Sequence, residues 1–170
     1  MTSADTHSQP FRAPLPVRKP PPANAGPPPE RAVKRPPLDS EQTLETLRKI
    51  REQVDQVAGL LVATHDGLVL ASDVETVEAD SVAAMSAAAT GLAAQFTAQA
   101  GIGESRCAMF EGSSGYVCVF PVEGSLLLVV FGQPEITMGL FTLAAKQALT
   151  LLRQATLTAG GARRSGPSPE

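Results

Sequence analysis

Few side chains in this 170-residue chain are of the kind that carry out chemistry, and they are scattered. His7 lies in a proline-rich stretch and His65 beside an Asp66-Gly67 turn signal, so neither has a base, a nucleophile or zinc-spaced ligands nearby. No G-x-x-x-x-G-K-[ST] is present, so the chain is not itself a P-loop GTPase. Gly101-Ile102-Gly103 lacks the third glycine of a dinucleotide fingerprint. Cys107 and Cys118 fall on the two arms of an expected hairpin. With its turn centred on Ser113-Ser114, Cys107 faces Phe120 and Met109 faces Cys118. The thiols are then diagonal, about 7–8 Å apart, beyond easy disulfide reach. Two free, largely buried thiols are expected. Arg106 could reach a bound nucleotide as an arginine finger, or serve as a strand-end charge or a dimer ion pair. These residues imply no cofactor, no metal and no catalytic group, and so a protein that works by binding rather than as an enzyme.

Composition narrows the partners. A net charge of −3, no Trp and a single Tyr give no basic patch and no stacking platform for nucleic acid. The start, MTSADTHSQPF, has no apolar core of a secretory signal. A cytoplasmic protein without membrane insertion is expected. Residues 1–37 hold eleven of the fifteen prolines, with six Lys or Arg against two acids. They read as a disordered basic arm, partly polyproline II, in which no two prolines are spaced P-x-x-P. Residues 38–157 carry six cations against fourteen acids and read as the folded domain, and 158–170 as a disordered C-terminal tail. Abundant alanine and ten Arg against four Lys suggest a GC-rich bacterial genome.

Within the domain, Asp39 or Ser40 caps a helix running to about Gln56, with Leu44, Leu47, Ile50, Val54 and Val57 at helical spacing. Leu60–Thr64 and Leu68–Ser72 flank Asp66-Gly67, a signal for a hairpin with a type I′ turn. A second helix spans about Glu78 to Ala100 and stops at Gly101-Ile102-Gly103. Strands follow at 105–111, 116–122 and 125–132. The last is apolar without alternation from Leu126 to Phe131, so both its faces are buried and it is central. A third helix runs from Thr137 to about Arg153, with Leu140, Phe141, Ala144, Ala148, Leu151 and Leu152 inward. The fold class is α/β, an α+β sandwich. An open five-stranded, mainly antiparallel sheet, in the order α-β-β-α-β-β-β-α, carries helices on both faces.

The second helix poses the main question, because Ser81–Ala100 contains no charge. A surface helix ordinarily keeps a charged face in water. Val82, Met85, Ala89, Leu92 and Phe96 form a large-residue stripe expected to lie on the sheet. Ala84, Ala88, Gly91, Gln95 and Ala98 form a small-residue stripe on another side, where a second helix could approach closely. Good helix propensity explains single alanines, but not the loss of every charge. The expected cover is a second copy of the same helix.

VAGLLVATHDGLVLASD (57–73), the Ala-rich helix, GYVCVFPVEGSLLLVVFG (115–132) and MGLFTLAAKQALTLL (138–152) together resemble the Roadblock/dynein light chain family of the roadblock/longin superfamily, over about residues 42–155. The resemblance implies a profilin-like sheet and a homodimer, or a heterodimer with a paralogous roadblock chain. Third strands pair edge to edge in such a dimer, and second helices lie side by side. Here that places Arg106, Cys107, Ala108, Met109 and Phe110 in the dimer interface beside the small stripe. Bacterial, MglB-like members regulate small Ras-like GTPases without an obvious catalytic side chain. The implied GTPase contact is the surface around Glu78, Ser81, Thr90 and Gln95. A dimeric scaffold with no effect on nucleotide turnover is the alternative.

Overall fold

A computed structural model describes residues 39–123 and 125–162 of the protein, with side chains to residue 157. The arm expected over 1–37 and the last eight residues of the expected tail lie outside the described residues. The elements are α1 (Ser40–Gln53), β1 (Val57–Thr64), β2 (Val69–Asp73), α2 (Ala79–Gln99), β3 (Ala108–Gly112), β4 (Gly115–Val122), β5 (Leu126–Gly132) and α3 (Met138–Ala162).

The sheet order is β2-β1-β5-β4-β3, and all pairings are antiparallel. β5 is central, as its unbroken apolar run predicts. Leu126, Leu128 and Val130 enter the core under α1 and α3, whereas Leu127 and Val129 enter the core under α2. A strand buried on both faces has no use for alternation. α1 begins at Asp39, whose side chain accepts a hydrogen bond from the Glu41 amide at 3.2 Å. The helix is clasped to the end of β2, where Arg51 Nε lies 2.7 Å from Asp73 Oδ2.

Several elements depart from the sequence expectation. α1 ends at Gln53 rather than Gln56, and β3 begins at Ala108 rather than Ser105. α3 continues to Ala162, into the stretch expected to be loose, and Leu140 on it is exposed rather than inward. The β1–β2 turn is not type I′. Thr64 N donates to Leu68 O, enclosing three residues, and only Gly67 has positive φ, at 83°. That is the pattern of a three-residue loop ending in a left-handed residue. Gly67 has a second constraint, because a Cβ there would come 3.0 Å from Ala84 Cα on α2. Gly67→Ala is therefore expected to cost about 2 kcal/mol, from left-handed strain and crowding together. Urea unfolding at fixed protein concentration measures it.

α2 reverses the expected packing. The stripe set on the sheet is Ala79, Ala83, Ser86 and Thr90; of the large residues expected there Val82 does pack against the sheet, whereas Met85, Leu92 and Phe96 do not. Met85, Leu92 and Phe96 are 61%, 66% and 70% exposed. Small side chains allow the helix to sit close to the branched residues of the sheet. The Thr90 hydroxyl donates to Ser86 O at 2.8 Å, so the hydroxyl enters the core satisfied. α2 stops in a Schellman arrangement, with Ile102 N donating to Thr97 O and Gly101 N to Ala98 O. Gly101 takes φ 65° there.

Candidate functional site: an apolar groove between α2 and β3

Among the described residues α1 and α3 share one face of the sheet, and α2 lies alone on the other. α2 does not cover the β3 end of that face. A groove of about 790 Å³ is left, walled by Met85, Leu92 and Phe96 of α2 and by Ala108 and Phe110 of β3, over a floor that includes Phe131. Its lining is almost wholly carbon. β3 is an edge strand, so its outer amides and carbonyls face away from the sheet with no strand beside them. Exposed apolar side chains and an open strand edge thus occur together on one side of the domain, a combination that marks an interface.

The sequence-derived residues distribute around this groove. Ala84, Ala88, Gly91, Gln95 and Ala98 are exposed along the outer side of α2, and a Cβ at Gly91 would meet nothing within 4 Å. Arg106, Cys107 and Phe110 are exposed, while Ala108 and Met109 are half-buried. Glu78, the N-cap residue of α2, and Ser81 are exposed. Thr90 corrects the set: at 8% exposure it belongs to the sheet contact and offers no outward surface. Sequence reasoning missed Met85, Leu92 and Phe96 as surface. The available signal was the third stripe, Ala79-Ala83-Ser86-Thr90, whose hydroxyls a helix can satisfy internally.

The thiols also differ from expectation. Cys118 is buried, but Cys107 is exposed. Both are free, and Met109 pairs with Cys118 in the predicted register. Burial pushes the Cys118 thiol well above its ordinary range, and the neighbouring Cys107 thiol adds to the shift. A neutral, buried thiol is a poor nucleophile. Iodoacetamide is expected to leave Cys118 unmodified in the native protein and to modify it on unfolding, as read by mass spectrometry.

Among the described residues no group of three or more His, Cys, Asp or Glu could hold a metal ion. None of the described helices is long and apolar enough to cross a membrane.

Comparison with known proteins fits this geometry. The uncharacterized proteins MJ0310 and MJ0714 of Methanocaldococcus jannaschii are each 33% identical over 97 residues, 56% of this chain and 84% and 81% of theirs. Among solved structures, Myxococcus xanthus MglB superposes with a TM-score of 0.60 at 15% identity, covering 71% of this chain and 92% of that one. A Roadblock/LC7 domain from Streptomyces avermitilis gives 0.59 at 17% identity, covering 68% and 95%. Acanthamoeba castellanii profilin IB gives 0.50 at 14%, covering 65% and 96%, which places the sheet among profilin-like folds. The Roadblock/LC7 domain model matches residues 43–131, from within α1 to the end of β5. The chain belongs to the Roadblock/LC7 family.

Proposed function

We propose that the protein is a non-catalytic dimeric interaction module that binds a small Ras-like GTPase and regulates its nucleotide cycle. The observation that carries this reading is the exposed apolar surface of α2 and β3 in a Roadblock/LC7 domain. A second copy, or a paralogous roadblock chain, covers it. The partner's α2 lies against Met85, Leu92 and Phe96, with the adjoining stripe of Ala84, Ala88, Gly91, Gln95 and Ala98 completing the contact. The β3 edges join the two sheets through Arg106, Cys107, Ala108, Met109 and Phe110. The outward surface at the start of α2, with Glu78 and Ser81, is left for the GTPase, and Gln95 at the rim of the dimer contact can border it. Family membership and a likeness to MglB support the GTPase as partner.

The test is to measure binding of the purified full chain to Ras-like GTPases loaded with GDP and with GTP, together with hydrolysis and exchange rates. Binding that depends on the nucleotide and changes a rate supports regulation. Binding with unchanged rates makes the protein a scaffold, and no binding in either state removes the GTPase reading.

A further inference from the structure

Under the dimer reading above, two β3 edges meet about a two-fold axis, and the sequence around β3 constrains how. The ladder between β3 and β4 starts only at Ala108↔Val119, although β4 runs on to Val122. Pro121, which has no amide proton, lies in the part of β4 left unpaired on that side. Ser105, Arg106 and Cys107 consequently stand outside the ladder, with Arg106 and Cys107 exposed. Arg106 makes no ion pair among the described residues. Phe110, on the same face of the strand, is 51% exposed.

An axis perpendicular to the joined sheet keeps every residue on its own face. Directly opposed residues are therefore both even-numbered or both odd-numbered, and one residue sits on the axis. Glu111 on the axis would oppose two carboxylates directly, and Phe110 on the axis would set them diagonally, about 7–8 Å apart. Met109 on the axis puts the Glu111 carboxylate against the Cys107 thiol and leaves Arg106 opposite Gly112. Cys107 on the axis puts Glu104 against Phe110. Ala108 on the axis matches every pair. Arg106 opposes the partner's Phe110, with a guanidinium over an aromatic face. Cys107 opposes the partner's Met109, two soft apolar groups. Ser105 opposes the partner's Glu111, a hydroxyl donor to a carboxylate. This register also gives Ser105–Cys107 the strand neighbour that its own chain lacks.

We propose that the protein pairs with a second copy of itself in the register centred on Ala108, with Arg106 of each copy lying over the partner's Phe110. The proposal rests on the dimer reading, so its experiment separates the two. In a Cys107→Ser background, Ala108→Cys, Met109→Cys and Phe110→Cys are introduced singly into the full chain. Mass is measured by light scattering, and cross-linking is followed on non-reducing gels under mild oxidation. Opposed residues on the axis have Cα atoms about 4.5–5.5 Å apart, within disulfide reach. One position away, the two equivalent residues become diagonal and move beyond it. Ala108→Cys is expected to cross-link several-fold faster than the others. Arg106→Glu is expected to raise the dimer Kd about tenfold, and Arg106→Lys to restore part of the loss. A dimer that links fastest at Met109 or Phe110, or at none of the three, overturns the register while leaving the dimer standing. An unsubstituted chain that is monomeric by light scattering overturns both.

Discussion

Replacing Leu92 and Phe96 together by glutamate is expected to give a folded monomer. Both side chains are more than half exposed in the single chain, so neither charge enters its core. Substitutions at such positions usually change stability by within about 0.5 kcal/mol. In the proposed dimer the same positions face a carbon-lined groove, where each carboxylate would be desolvated among apolar side chains. An unpaired buried charge costs about 3–5 kcal/mol, and every 1.4 kcal/mol is a factor of about ten in Kd. The dimer constant should rise by more than about a thousandfold, while circular dichroism stays that of the parent. Sedimentation velocity reads the first and far-ultraviolet spectra the second. Loss of the fold together with the dimer would mean that α2 relies on these residues within its own chain.

The second large effect lies on the other face of the sheet. Phe141 is fully buried, and its ring stacks on Tyr116 with centroids 5.5 Å apart. It fills the space that Gly132 leaves open: a Cβ at residue 132 would come 2.7 Å from the ring. Phe141→Ala is expected to lower stability by about 3–5 kcal/mol, through lost burial and a cavity that the neighbouring β5 backbone cannot collapse to fill. Association also stabilises the native state. The comparison is therefore made by urea unfolding in the Leu92→Glu/Phe96→Glu background, where Phe141 acts without the dimer.

The contrast between these residues explains what could be read from sequence. β5 was legible because burial on both faces removes alternation, a pattern few other elements produce. α1 was legible because its buried residues, Leu47 and Ile50, are also its large ones, with charges between. α2 was not, because it has apolar residues on nearly every side. Size then suggested the wrong face: the sheet takes Ala83, Ser86 and Thr90, and the bulk of Met85, Leu92 and Phe96 is left outside. The charge-free stretch located the exposed apolar surface, whereas its orientation needed tertiary packing. Thr90 was misassigned for the same reason, since a hydroxyl bonded to the preceding turn costs little to bury. The β1–β2 turn failed differently. A type I′ turn with two left-handed residues was expected from Asp66-Gly67, but in the three-residue loop His65–Gly67 one left-handed glycine suffices.

The surface formed by α2 and β3 is held to be closed by a second copy of the domain. Hydroxyl-radical footprinting of the native full chain over a dilution series tests this most directly, because Met85 and Phe96 are both reactive probes on that surface. Protection of both at high concentration, lost together as the mass falls to that of one 17.7 kDa chain, is the predicted result. Full reactivity of Met85 and Phe96 at every concentration, in a sample that remains dimeric or is monomeric throughout, would contradict it.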